Sequence, residues 1–202
     1  MFERAIQFFQ AGGWVMYPLL LMSLLSITLM FERFEFWTLG PQRRGKHRLM
    51  AYLALLDHGT IDQLRTKSAK DRTLEGVLVR ASVANGAESD SALIGVIESL
   101  RPSIERFAPT LGTIIAAAPL LGILGTVTGI IQSFDLLGDA AAVSDPTIVA
   151  GGIAEALYTT AFGLTIALIT IFPHVYFKAK ADRALGRLEI LAGALADRNQ
   201  QD

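Results

Sequence analysis

The 202-residue chain contains no cysteine. Disulfide scaffolds, thiolate metal sites and thiol nucleophiles are therefore excluded. Charge is scarce too: Asp, Glu, Lys and Arg make up 18% of the residues, against about 25% in an average soluble domain. The three histidines do not have the spacing of a zinc motif. No Gly-x-Ser-x-Gly elbow occurs, and no pair of aspartates lies within an apolar run. Gly122-Ile-Leu-Gly-Thr lacks the lysine of a phosphate-binding loop and sits inside an apolar run. The expectation is a protein that is not an enzyme and carries no cofactor. A net charge of −1 argues against a nucleic-acid partner. Apolar side chains are abundant, at 51%, and the mean hydropathy is +0.42. That composition rules out a disordered or collagen-like chain.

Three runs carry no charge: residues 11–31 (21 residues), 107–134 (28 residues) and 156–173 (18 residues). Residues 148–154 extend the third run upstream, interrupted only by Glu155. A bilayer core of ~30 Å needs roughly 20 apolar helical residues. The expected fold class is an all-α integral membrane protein with transmembrane helices over 14–31, 107–134 and 148–177. The second run, at ~1.5 Å per residue, is about 42 Å long, so it must tilt or project beyond the lipid. A helix is expected just upstream, over 91–106, with Leu93, Ile97, Leu100 and Ile104 on one stripe. Pro102 and Pro109 are expected to bend it without ending it. Residues 1–13 read as an amphipathic interfacial helix with Phe2, Ile6 and Phe9 on one side, followed by headgroup anchors Trp14 and Tyr17. Arg4 is the one basic residue ahead of the first run, and no small-residue cleavage site follows that run, so it is not read as a cleaved signal.

Lys and Arg number one before the first span, twelve in 32–106, none in 135–147 and five in 178–202. The positive-inside rule then places 32–106 and the 178–202 tail in the cytoplasm, and the amino terminus and the short 135–147 loop outside. The 32–106 segment also holds ten acidic residues, so it reads as a solvated helical region of two or three short helices. Thr60-x-x-Gln63 has the form of a capping box. Gly59, Asn85-Gly86 and Ser89-Asp90-Ser91 mark turns. The tail alternates charge and Leu/Ala at helical spacing and should continue the third span unbroken.

At 100° per residue the third span has two faces. Gly152, Ala156, Thr159, Gly163, Ala167 and Thr170 share one side, with Thr160 at its edge. Ile153, Leu157, Tyr158, Leu164, Leu168 and Phe172 occupy the other. Lipid gives no reason for such asymmetry. Small residues allow backbones to approach, and hydroxyls hydrogen-bond across helices. The second span repeats the pattern: Ala118, Gly122, Gly125 and Gly129 form a small-residue groove, with Thr126 and Ser133 on the adjoining stripe. Two readings follow: tight helix packing with hydroxyls bonded to their own turns, or the wall of a narrow hydrated path. Glu155 is the one ionisable residue well inside a span. It costs ~2.5–3.5 kcal/mol at the bilayer centre on insertion scales. Such a residue marks an ion route or pairs with a neighbouring subunit. His174 lies at a span boundary, and His47 and His58 lie outside the apolar runs.

The run from Ala118 to Phe134, A-P-L-L-G-I-L-G-T-V-T-G-I-I onward, and the run from Gly152, G-I-A-E-A-L-Y-T-T-A-F-G-L, together resemble the MotA/TolQ/ExbB proton channel family. The ExbB and TolQ branches are the most similar. The resemblance implies a homopentamer in the bacterial inner membrane, with the second and third helices around a central pore. A single-span ExbD/TolR-type partner would stand in that pore and carry the proton-accepting carboxylate. The output would pass to a TonB/TolA-type transducer, for nutrient uptake or, in the TolQ-type alternative, envelope maintenance. Thr126 and Thr160 match the pore-lining hydroxyls and Glu155 the acidic residue. Thr159 is an extra hydroxyl, which leaves open which of the two threonines faces the path. Pro119 and Gly122 match the motif but read as packing, as do Gly125, Gly129, Gly152 and Gly163. The rival from another class is a non-conducting membrane scaffold.

Overall fold

The computed structural model describes residues 12–85, 90–138 and 146–199. Most of the interfacial helix expected over 1–13, and most of the 135–147 loop, lie outside the described residues. The elements in order are α1 (Met16–Phe34), a π-helical turn (Glu35–Leu39), a 3-10 turn (Pro41–Arg44), α2 (Gly45–His58), α3 (Ile61–Ala69), α4 (Leu74–Asn85), α5 (Asp90–Ile104), α6 (Ala108–Gly138) and α7 (Pro146–Asn199). The described residues are helical with no strand. Among them, Ala108–Asp135 and Ala150–Arg198 are long and apolar enough to cross a membrane. The other apolar run forms α1, a helix of 19 residues that ends in Glu32, Arg33 and Phe34. α7 is one helix of 54 residues that contains Pro173 and runs on through the tail.

The chain divides into two compact units, one of Met1–Met30 with Pro109–His174 and the other of Phe31–Ala108 with Val175–Asp202. In the first unit Val15, Met16 and Leu19 pack with Ile114 and Ala118 of α6 and Ile166 of α7, and Met22, Leu121 and Phe162 border the cluster. Apolar burial drives little association among lipid tails, so close packing and hydrogen bonds must hold such a bundle. One of these bonds ties α1 to α7: the Ser26 and Thr170 hydroxyls are 2.6 Å apart and buried. Thr170 already donates to the Ile166 carbonyl, at 2.7 Å. Its single proton is spent there, so Ser26 is the donor to Thr170.

The second unit holds α2 to α5 and the later part of α7. Among the described residues, four α-helices occupy the 32–106 segment where two or three were expected. The Thr60–Gln63 capping box is formed at the start of α3. The stripe on α5 is buried at Leu93, Ile97 and Ile104. The helix expected to bend through Pro102 and Pro109 instead ends between them. α5 stops at Ile104, Phe107 takes a left-handed φ of 65°, and α6 starts at Ala108. Pro109 then sits in a first turn, where its missing N–H is tolerated. The break is held by Arg33, which is buried. Its guanidinium donates to the Ser103 carbonyl at 3.2 Å and the Ile104 carbonyl at 3.5 Å, filling acceptors that the end of α5 leaves open. A cation at a helix C-terminus also opposes the helix dipole. Arg198 does the same for α2, donating to Leu55, Leu56 and Gly59 carbonyls at 2.8–3.0 Å.

Two buried carboxylates order this unit. Glu75 is fully buried, and its Oε1 accepts from Arg187 Nε at 2.9 Å. Asp71 accepts from the Tyr52 hydroxyl at 2.9 Å and the Thr73 N–H at 3.0 Å, with Arg48 3.4 Å away. Burial alone would raise the Asp71 carboxyl. The Thr73 and Tyr52 hydrogen bonds and the Arg48 charge outweigh it and hold the group below the usual carboxylate range. Burial, and then the adjacent Asp71, push the Tyr52 hydroxyl up. A carboxyl lowered on folding contributes stability above its unfolded value of about 4, and that contribution is lost as pH falls through the folded value. Melting temperature should therefore fall in acid below pH ~4. The fall should be shallower in Asp71→Asn than in wild type, which a pH series of thermal melts would read. Parallel acid profiles would remove Asp71 from the account.

Candidate functional site

The candidate site lies in the first unit, where α6 and the early part of α7 meet. The side of α7 with large residues is open: Leu157, Leu164, Leu168 and Phe172 are 54–70% exposed. The small side is closed, with Ala156, Thr159 and Thr170 at most 1% exposed. On α6, Leu120, Val127 and Phe134 are likewise exposed, and Ala118 is fully buried.

Glycine makes this contact possible. A Cβ on Gly122 would lie 2.9 Å from the Thr160 Cα and 3.0 Å from the Thr159 carbonyl oxygen. A Cβ on Gly163 would run into the Ala118 carbonyl oxygen and lie 3.3 Å from the Gly122 Cα. These obstacles are backbone, so no rotamer change relieves them. Gly125 faces the Thr159 side chain, Gly129 faces Ala156, and Gly152 faces the Ser133 hydroxyl. The five glycines expected at packing positions thus all stand where α6 and α7 approach. Pro119 sits inside α6 and has no N–H for the Ile115 carbonyl one turn earlier.

The close approach turns the Gly122 carbonyl into an acceptor for the other helix. The Thr160 hydroxyl donates to it at 2.8 Å. The Thr159 hydroxyl lies 3.2 Å from the same carbonyl and 2.7 Å from Ala156 O on its own helix. Thr159 is 1% exposed, and Thr160 is half-buried. Thr126 is half-buried as well, and its hydroxyl donates to the Ile123 carbonyl at 2.7 Å. The structure therefore brings Thr159, Thr160 and Gly122 together, whereas the Thr126 hydroxyl bonds within its own helix. Glu155 lies within α7, and its side chain is outside the described residues. The Ser26–Thr170 bond and the acceptor role of Gly122 were not found in the sequence. Neither has a local signature, because a serine in a leucine-rich run and a motif glycine gain their meaning from the partner helix.

A hydroxyl that donates its proton keeps lone pairs to accept from water. Thr126 and Thr160 each retain partial exposure, so each can meet a water molecule. Thr159 cannot do so without opening the contact.

Long apolar helices held by glycine contacts, with hydroxyls bonded across them and large apolar residues facing outward, define the class: a helical membrane protein. Residues 65–190 match the MotA/TolQ/ExbB proton channel family, and the chain belongs to that family. An ExbB-like 3 biopolymer transport protein from Synechocystis is 29% identical over 95% of this chain and 96% of its own length. The biopolymer transport protein exbB1 of Vibrio cholerae is 29% identical over 93% of this chain and 85% of its own. The Tol-Pal system protein TolQ of Pseudomonas aeruginosa is 36% identical over 50% of this chain and 47% of its own.

Proposed function

We propose that this chain is the pore-forming subunit of a proton-driven inner-membrane motor. It would assemble as a homopentamer, with a single-span partner of the ExbD/TolR type inside the ring. The observation that carries the reading is the cross-helix site, in which Thr160 is anchored on the Gly122 carbonyl of the other helix yet stays partly open. In this reading α1 is a third span, supported by its charge-free run and by the exposure of Leu21, Leu24, Ile27 and Phe31. The amino terminus is periplasmic and the tail cytoplasmic, as the Lys and Arg distribution favours. Thr126, Thr160 and Glu155 form the wall of the path, and Thr159 latches the two helices. The ExbB-type role is favoured by two ExbB-named relatives that align over nearly the whole chain, although other ExbB-named relatives, like the TolQ relative, align over about half of it.

The mechanism follows from the wall chemistry. No string of ionisable groups crosses α6 and α7, so this chain does not conduct alone, and in this reading the proton-accepting carboxylate is the one that the family resemblance gives to the partner. Half-open threonines hold water against it. Protonation neutralises that carboxylate and frees its helix to move relative to the ring. A charge that crosses 100 mV releases about 2.3 kcal/mol, enough to shift a two-state packing by several tens-fold. The resulting motion drives a TonB/TolA-type transducer.

The test is proton uptake by vesicles that hold this chain and its partner. Thr126→Val and Thr160→Val should each slow partner-dependent flux by up to about tenfold, the equivalent of one lost hydrogen bond. Glu155→Gln should slow it more than a structural carboxylate would allow. Full flux in both threonine variants would refute the role assigned to Thr126 and Thr160.

A further inference from the structure

In the second unit, the segment that opens α2 combines an anchored inner face with a basic outer face. Gln42 is buried, and its Oε1 accepts from the Leu74 N–H at 3.4 Å. Gly45 sits so close to the Glu75–Arg187 pair that a Cβ would lie 2.9 Å from Glu75 Oε1. Arg48 faces Asp71, and Leu49 is buried. These inward positions recur every three to four residues, which is one helical face. The positions left over are Arg43, Arg44, Lys46 and His47, all exposed. They line a surface pocket of about 390 Å³ with no acidic residue among its described lining.

Arg33, Arg48, Arg101, Arg106 and Arg187 each have a carboxylate within 4 Å, and Arg80 and Arg198 donate to backbone carbonyls. Among the described residues, none of the four pocket cations and donors enters an ion pair or a side-chain hydrogen bond. Three permanent cations around one hollow repel each other, and an anion seated there relieves the repulsion. The anchored backbone means that the cluster is preorganised.

We propose that this pocket binds the phosphate headgroup of an anionic phospholipid. The source is identified by what precedes the pocket. Phe31, Phe34 and Leu39 are exposed at 71%, 51% and 74%, and they lie between the charge-free run and Arg43. The path from Phe31 to Arg43 is helical almost throughout, so it spans no more than about 20 Å. Apolar residues that lead from a span into a basic cluster are suited to acyl chains and headgroups of one leaflet. This inference rests on the reading of α1 as a span with 32–106 on the cytoplasmic side.

The experiment is native mass spectrometry of the full chain in detergent, with phosphatidylglycerol or phosphatidylcholine of identical acyl chains. The wild type should retain phosphatidylglycerol over phosphatidylcholine. A cation near an anionic leaflet contributes about fivefold in affinity, so Arg43→Gln with Arg44→Gln should lower retention on the order of 25-fold. Arg43→Lys with Arg44→Lys should keep the preference. Arg65→Gln with Arg72→Gln, which removes the same charge from other exposed positions, should keep it too. Equal retention by wild type and the Arg43/Arg44 glutamine variant would overturn the proposal. Displacement of the lipid by excess inorganic phosphate would overturn it in favour of a free anion. Carbonate extraction of membranes separates the underlying reading: release of the wild-type chain would sink both, whereas a retained chain without lipid preference would sink the pocket alone.

Discussion

Arg187→Met should destabilise the second unit by about 3–5 kcal/mol, the usual cost of leaving one member of a buried ion pair behind. Glu75 is fully buried, and Arg187 is its partner at 2.9 Å, with only 19% of its own side chain exposed. The other carboxylate oxygen, Oε2, is buried without a hydrogen bond among the described residues. Removing the guanidinium would strip the carboxylate of its one strong donor in a space that Gly45 keeps closed. The loss should appear as a lower melting temperature and faster proteolysis of the solubilised chain. Charge imbalance, and not lost packing, is the cause, so Glu75→Leu combined with Arg187→Met should recover most of the stability. A single variant within about 1 kcal/mol of wild type would be at odds with the burial of Glu75.

Gly163→Leu should abolish partner-dependent activity and sharply reduce accumulation of the chain. Its Cβ would strike the Ala118 carbonyl group and lie 3.3 Å from the Gly122 Cα. Even one added methyl in a close-packed core costs about 1–3 kcal/mol, and leucine adds three further carbons at a backbone contact. The helices must separate, and Thr160 then loses the Gly122 carbonyl. Gly151 supplies the control, because a Cβ there meets nothing within 4 Å. Gly151→Leu should accumulate and work near wild type. If Gly163→Leu matched it, the close approach of α6 and α7 would not be needed.

These effects differ in how far the sequence foretold them. The two faces of α7 were legible, because a 100° period sorts small from large residues without reference to a partner. Leu157, Leu164, Leu168 and Phe172 are open and Ala156, Thr159 and Gly163 closed, as that sorting requires. The Thr60–Gln63 box was equally local. The end of α5 was not legible. Its cause is Arg33, some seventy positions earlier, whose guanidinium caps the last carbonyls and lies over the Phe107 ring at 5.7 Å. The Glu75–Arg187 pair is separated by 112 positions, beyond any spacing rule. Thr159 and Thr160 sit one step apart on the edge of the same face. Their difference in burial depends on where the Gly122 backbone lies, and sequence periodicity cannot resolve that.

The central claim is that Thr126 and Thr160 line a wet path while the opposite face of α7 meets lipid. The absence of cysteine makes it directly measurable, since each introduced thiol is the sole one in this chain. Thr126→Cys and Thr160→Cys, in the chain assembled with its partner in membranes, should react with a small water-soluble methanethiosulfonate. Leu168→Cys and Phe172→Cys should stay unreactive in lipid. Rapid labelling at the leucine and phenylalanine positions, with silence at both threonines, would contradict the account.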